Sequence, residues 1–327
     1  MASEPKSLQE AILYFSKPEN CREYLVARRW VDGVTCPRCG SKNVLFLEKY
    51  NRWNCREKHD APQFTLKTGT IFEDSPISLD KWLTAMWMTV NCKNGVSSWE
   101  IHRTIKVTQK SAWFMLGRIR LALQDKDSGG KIGGPDSTVE IDETFIGGKA
   151  RNMHKAKRRR LSDGVGMQGG HGKAVIMGML ERGGKVKATV LGGKRKKEPM
   201  RKIIAENVAP GTAIMTDEFP GYYGLAAENF THEVVNHLET YVSGNVHTQG
   251  IENFWSLLKR SLGGTYVAVE PFHLFRYVDE QAFRFNNRAT KENPLNDSDR
   301  FDLAVRQIVG KRLTYQELTG KLCGETF

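Results

Sequence analysis

Three acidic positions stand where the chain could gather oxygen ligands. Asp142 lies in Val139-Glu-Ile-Asp-Glu-Thr-Phe145, which alternates apolar and polar residues as a half-buried strand does. Asp142 and Glu143 are therefore expected on opposite faces, with only one of them in a given site. Asp217 ends the short apolar run Ile214-Met-Thr-Asp217, at a strand end just before a turn, where α/β folds collect their ligands. Glu252 sits near the start of a helix in which Ile251, Trp255, Leu258 and Leu262 form an apolar stripe. Glu252, Ser256 and Lys259, at i, i+4 and i+7, lie along an adjacent face. Converging carboxylates would hold hard divalent cations for phosphodiester chemistry, in which one oxygen is activated to attack and another is stabilised as it leaves. Lys259 would then meet a phosphate beside them. Taken singly, each acid reads as a helix cap or a surface charge, and Asp279 or Glu280 competes for the third position.

A second cluster has the chemistry of a soft metal site. Cys36-Pro-Arg-Cys39-Gly is followed, after a 15-residue gap, by Cys55-Arg-Glu-Lys-His59. Zinc takes four thiolate or imidazole ligands in a tetrahedron, and a short turn with glycine after the second cysteine lets two thiolates face one ion. Cys36, Cys39, Cys55 and His59 are thus expected to hold one structural Zn²⁺, with Val44–Glu48 and Tyr50–Asn54 as the two strands of a ribbon. A closed four-ligand site holds a fold and has no open position for chemistry. Cys21, Cys92 and Cys323 have no spaced partners and read as packed thiols.

The elements that must position these groups are set by periodicity and caps. Short helices are expected over residues 7 to 31, then the Cys-rich module, then helices from Leu79 to about Leu123. Within the latter, Ser97-Ser-Trp-Glu100 has capping-box spacing and Thr108 can cap the next helix. This pair suggests a helix-turn-helix whose second helix carries Lys110, Arg118 and Arg120 toward DNA; a small linking bundle is the other reading of the same residues. Beyond a glycine-rich stretch at 125–135 the pattern changes to three strands and then alternating helix and strand, which indicates a mixed α/β sheet. The expected domains are N-terminal helices (1–32), zinc ribbon (33–75), helical module (76–125), α/β domain (136–290) with a basic insertion at 149–172, and a C-terminal tail (291–327).

The 327 residues carry a net charge of +12, and the excess is concentrated. Between Lys149 and Lys202 there are 17 Lys and Arg against three acids, a net +14, which leaves the rest of the chain near −2. Such a block implies a polyanionic partner. Lys157, Arg158, Arg159, Arg160, Lys194, Arg195, Lys196 and Lys197, with Arg260 beside the third acid, are the candidate phosphate contacts. Hydrophobic content of 39% and charged content of 26% are ordinary for a globular protein, and no apolar run reaches the roughly 18 residues of a membrane span. The N-terminus has no basic segment followed by an apolar one, so a cytoplasmic, nucleoid-associated protein with reduced cysteines is expected.

These motifs together resemble the zinc-ribbon DDE transposases of bacterial insertion sequences, the ISXO-like group related to the eukaryotic Merlin elements. The resemblance runs through Cys-Pro-x-Cys-Gly-Ser, Lys67-Thr-Gly-Thr-Ile-Phe-Glu-Asp-Ser75, Ile141-Asp-Glu-Thr, Thr216-Asp-Glu, His247-Thr-Gln-Gly-Ile-Glu-Asn-Phe-Trp-Ser-Leu-Leu-Lys-Arg260, and Tyr277-Val-Asp-Glu with Phe285-Asn-Asn-Arg288. It implies an RNase H-like catalytic domain in which Asp142, Asp217 and Glu252 hold two Mg²⁺ (or Mn²⁺) ions and Lys259 is the basic residue that follows the glutamate. Glu280 is thereby assigned to packing. His59 stands where many zinc ribbons carry a fourth cysteine. The implied activity is cleavage of element-end DNA and transfer of the freed 3′-OH into target DNA, by a homodimer or higher oligomer on inverted-repeat ends. A DNA-binding regulator without activity and a nuclease that cuts without joining are the rival readings.

Overall fold

A computed structural model describes residues 4–124, 130–148, 173–191, 195–234 and 247–320. The chain divides into two compact units, one of 1–124 with 287–326, the other of 125–286. No described helix is long and apolar enough to cross a membrane.

The first unit opens with α1 (Leu8–Phe15) and α2 (Pro18–Arg29), then a three-stranded antiparallel ribbon of β1 (Val44–Leu47), β2 (Arg52–Cys55) and β3 (Gln63–Phe64). Its second knuckle leads to α3 (Leu79–Asn91), α4 (Ser98–Ile105) and α5 (Gln109–Ala122). The expected caps form. Ser97 and Glu100 make a complete capping box, and the Thr108 hydroxyl accepts from the Ser111 amide. Lys106, in the left-handed conformation, turns the chain between α4 and α5.

Two expectations for this unit are corrected. The stretch written as a C-terminal tail contains α9 (Asp297–Arg306) and the short α10 (Tyr315–Leu318), which complete the helical core. Phe301, Ala304, Val305 and Ile308 repeat at helical spacing and are all buried, with Phe301 lying against Phe15, Tyr24 and Trp87. Likewise Arg118 and Arg120 do not face solvent: they are 6% and 3% exposed. The Arg118 guanidinium donates to the carbonyls of Leu313, Ile71 and Glu73, so it ties three chain segments together instead of reaching DNA. Leu318 covers the middle of α5, where a Cβ on Gly117 would lie 2.9 Å from it. Of the three cations placed on this helix, only Lys110, in its first turn, is exposed.

Among the described residues, the second unit has a five-stranded sheet in the order β6-β5-β4-β7-β8. β4 (Thr138–Ile146), β5 (Ala174–Glu181) and β6 (Val186–Leu191) are antiparallel neighbours, while β7 (Ala213–Thr216) and β8 (Thr231–Val234) run parallel to β4. β5 is apolar on both sides because it is an inner strand with both faces covered. On one face Val139, Ile141, Met177, Met179 and Ile214 pack with Met200, Ile204 and Val208 in and just after α6 (Lys197–Asn207). On the other, Ile176 and Leu180 pack under α7 (Gln249–Ser261) and α8 (Leu274–Asn286). β4 therefore presents Glu140, Asp142 and Thr144 toward α7, and Val139, Ile141 and Glu143 toward the opposite layer.

In the first unit, α9 is fixed to α2 by an acid between two arginines. Asp302 accepts from Arg28 Nε at 2.6 Å and from Arg306 Nε at 2.7 Å. Burial alone would raise this carboxyl, but the hydrogen bonds from Arg306 and Arg28 outweigh it and hold it below the usual carboxylate range. A carboxyl lowered in the folded state stabilises above its unfolded pKa, and that stabilisation is lost as pH falls through the folded value. Asp302→Asn is expected to lower unfolding free energy by about 1–2 kcal/mol at pH 7. Urea denaturation should show the difference at pH 7 and its disappearance below the ordinary carboxylate range.

Candidate active site

The pairing of β4 with β7 sets the site. Thr138 faces Ala213, Val139 faces Ile214 and Glu140 faces Met215, where the ladder between the two strands ends. Continuing that parallel register by two residues brings Asp142 beside Asp217. Asp217 Oδ1 accepts from the Phe219 amide at 3.1 Å, a local turn that fixes the carboxylate at the strand end.

Asp142 is held from the α7 side. Trp255 Nε1 donates to Asp142 Oδ2 at 3.0 Å. The indole can lie this close because Gly178, directly across from Asp142 on β5, has no side chain; a Cβ there would meet the Trp255 ring at 2.6 Å. Asp142, Thr144, Glu252, Trp255, Ser256 and Lys259 line one cleft of about 400 Å³, together with Glu143. The face predicted from helix register, Glu252, Ser256 and Lys259, thus opens onto the strand that carries Asp142, and Glu252 and Lys259 are both exposed there. Glu280 is elsewhere, fully buried in α8 and bonded to Arg284 and the Tyr266 hydroxyl.

Glu143 is the residue that sequence reasoning left out. Its backbone does point to the face opposite Asp142, yet carboxylate oxygens of Asp142, Glu143 and Asp217 all lie within 4.8 Å of one another. Because β7 pairs with β4 only as far as Glu140, the edge of β4 is open beyond it, and side chains from both faces reach round that edge to Asp217. Glu143 accepts from the Tyr222 hydroxyl and, at 3.0 Å, from Arg195 Nη1. Arg195 sits over the rings of Phe219 and Phe145, with 4.0 and 5.2 Å to their centroids. Arg195, a candidate phosphate contact, is thus also paired with Glu143. Lys196, Lys197 and Arg260 are exposed, whereas Lys157, Arg158, Arg159, Arg160 and Lys194 fall outside the described residues, as does Cys323.

Burial and like charge act together on these acids. Burial pushes Asp142 up to about 6, with the charges of Asp217 and Glu252 adding to it against hydrogen bonds from the Glu143 backbone and Trp255. Burial likewise lifts Glu143 to about 7, opposed by Arg195 and reinforced by Asp217 and Asp142. Clustered carboxylates that resist ionisation in each other's company are stabilised by a cation, and their all-oxygen donor set suits Mg²⁺ or Mn²⁺.

The second cluster is in the ribbon. Cys36, Cys39, Cys55 and His59 bring their ligand atoms together, with Cys36 Sγ 3.5 Å from His59 Nε2 and Cys39 Sγ 3.6 Å from Cys55 Sγ. His59 Nδ1 lies 2.8 Å from the Asp60 carbonyl, which fixes the proton on Nδ1 and leaves Nε2 to ligate. Burial alone would raise the Cys36 thiol, but hydrogen bonds to its sulfur outweigh that and lower it to about 7, while burial and the neighbouring thiols push Cys55 up to about 11, as expected of clustered sulfurs that share protons where a cation would replace them. The donors fit Zn²⁺. By contrast Cys21 is an inert packed thiol, its Sγ donating to the Phe15 carbonyl, and burial pushes it up to about 12.

Comparison with known proteins places both regions of the chain beside known domains. Residues 132–286 match the family model described as ISXO2-like transposase domain, and residues 17–57 match the transposase zinc-ribbon domain. A curated relative from Halobacterium salinarum, "Uncharacterized protein in transposable element ISH50", is 27% identical over 259 residues, which cover 76% of this chain and 84% of the relative. The ribbon and the α/β unit are thus both similar to parts of insertion-element transposases.

Elemental analysis of the purified chain should find one tightly held zinc. Cys39→Ser is expected to lose it and to melt the ribbon, seen as a loss of amide-exchange protection over β1 and β2; retention of stoichiometric zinc by this variant would remove Cys39 from the ligand set.

Proposed function

We propose that this chain, which carries an ISXO2-like transposase domain and a transposase zinc ribbon, cuts the ends of an insertion element and joins the freed 3′ ends to target DNA at Asp142, Asp217 and Glu252. The observation that carries this reading is the convergence at the β4–β7 edge: Asp142 and Asp217 come together, and Glu252 and Lys259 share the Asp142 cleft. The sheet order also supports an RNase H-like fold, since an antiparallel triplet is extended by two strands parallel to its first member, with helices on both faces.

Divalent cations, when bound, supply Lewis-acid activation of the attacking oxygen and stabilisation of the leaving one. Asp142, Asp217 and Glu252 are the residues that would hold them. Trp255 keeps Asp142 turned into the cleft, and the Phe219 amide fixes the Asp217 carboxylate at the end of β7. Lys259, two turns beyond Glu252 on the cleft side of α7, attracts the scissile phosphate and offsets its charge. In the first step water displaces the 3′ oxygen at the element end, leaving a 5′-phosphate on one side and a 3′-OH on the other. In the second, that 3′ oxygen attacks a phosphodiester of target DNA: one P–O bond forms as one breaks, and no protein group becomes covalently attached. Exposed Lys196, Lys197 and Arg260 contact backbone phosphates, so binding weakens steeply as salt rises. Zinc in the ribbon keeps the N-terminal unit folded for reading the element ends.

Asp142→Asn is expected to abolish strand cleavage, with a loss of at least ~1000-fold, while end-DNA affinity in a gel-shift assay changes little. A pre-cleaved end supplied with Mg²⁺ or Mn²⁺ should give joined product with the unaltered chain and none with the variant. Normal cleavage by Asp142→Asn would sink the triad. Cleavage without joining would reduce the activity to that of a nuclease.

A further inference from the structure

Two residues before Asp142, on the same face of β4, stands a second acid that this phosphodiester chemistry does not use. Glu140 is 1% exposed, yet its carboxylate is fully engaged. Oε2 accepts from the Ile251 amide at 2.9 Å and Oε1 accepts from Arg182 Nε at 2.9 Å, with His247 Nδ1 3.3 Å away. Arg182 also donates to the His247 carbonyl at 2.7 Å, which fastens the chain just ahead of α7 to β5.

The position of this network sets its meaning. Ile251 is in the first turn of α7, where backbone amides have no partner inside the helix and the helix end carries partial positive charge. The residue that precedes the helix, Thr248, provides no side-chain cap. Glu140 supplies that cap from the sheet, one residue before Glu252. Close approach is possible because Gly250 has no side chain: a Cβ there would meet Leu180 at 2.6 Å and Glu140 Oε2 at 2.9 Å. A single strand therefore supplies Asp142 and, roughly 7 Å away along the same face, the clamp on the backbone from which Glu252 projects.

We infer that Glu140 is a positioning residue for the metal site: by capping α7 through Ile251 it fixes where Glu252 stands relative to Asp142. This rests on the reading of Asp142, Asp217 and Glu252 as metal ligands. It assigns the carboxylate a role in reach as well as in charge, and the two can be separated. Glu140→Asp keeps the charge but withdraws the oxygen from the Ile251 amide by one methylene. Glu140→Gln keeps the length and an acceptor oxygen but discards the charge that faces Arg182.

The test is Mn²⁺ binding to the full-length chain without DNA, followed by electron paramagnetic resonance of the free ion, with thermal unfolding measured alongside. Glu140→Asp should weaken Mn²⁺ binding by about 10-fold or more, in the range for loss of a group that orients a ligand, and Glu140→Gln by less. On end DNA, Glu140→Asp should lower kcat and leave KM near that of the unaltered chain. A purely structural ion pair predicts the reverse order, with Gln the more damaging and Mn²⁺ affinity following stability; that outcome, or unaltered Mn²⁺ binding by Glu140→Asp, overturns the inference. Should Glu140→Asp fail to fold, Gly250→Ala decides, because it pushes α7 from Glu140 with every charge in place and should reproduce the loss. Asp142→Asn and Glu252→Gln serve as controls: if these bind Mn²⁺ normally, the metal-site reading falls, independently of Glu140.

Discussion

The parallel register between β4 and β7 is the constraint on which the second unit's chemistry depends. A parallel pair cannot be closed by a hairpin, so α6 must cross between the strands, and its apolar stripe of Met200 and Ile204 must find the sheet face lined by Val139, Ile141 and Ile214. Once that burial fixes the register, Asp142 and Asp217 lie side by side where β7 ends. Shifting one strand by a residue would turn its alternating side chains to the wrong faces, exposing core residues as well as moving the acid. The same packing that stabilises the sheet therefore keeps two mutually repelling carboxylates together.

On its other face the sheet orders the helix that carries the third acid. Gly178 admits Trp255 to the sheet surface and Gly250 admits the start of α7, so in both places a missing side chain permits a close approach that brings a hydrogen bond to a β4 carboxylate. Glu143 belongs to the far side and is restrained by Tyr222 and Arg195, which keeps a fourth acid near the cluster without leaving its charge unopposed. The ribbon is held by different means, a short closed ligand set backed by the Trp30, Trp53 and Phe64 ring contacts.

Much of this is legible in the sequence. Alternation in residues 139–145 gives β4 and its two faces, and the i, i+4, i+7 spacing places Glu252, Ser256 and Lys259 on the side of α7 that opens onto Asp142. The Cys-x2-Cys spacing with the later Cys and His gives the ribbon, because those ligands need only short turns to meet. Alternation cannot show that Glu143 reaches round the edge of its own strand, since that depends on where the neighbouring strand stops. Arg118 and Arg120 look like surface cations because charge suggests exposure, and the carbonyls that satisfy Arg118 come from segments 45 and more residues away. The helix α9 is readable from Phe301, Ala304, Val305 and Ile308; its periodicity cannot reveal that its partners lie in α1, α2 and α3, nearly three hundred residues earlier at the most distant.

Crystals of the chain soaked in Mn²⁺, with diffraction recorded at the manganese edge, test the central claim most directly. The account predicts an anomalous peak at the β4–β7 edge within bonding distance of carboxylate oxygens from both Asp142 and Asp217, with Glu252 turned toward the same cleft. A peak ligated elsewhere, or a β4–β7 edge free of manganese while the crystals hold it at other carboxylates, would contradict it.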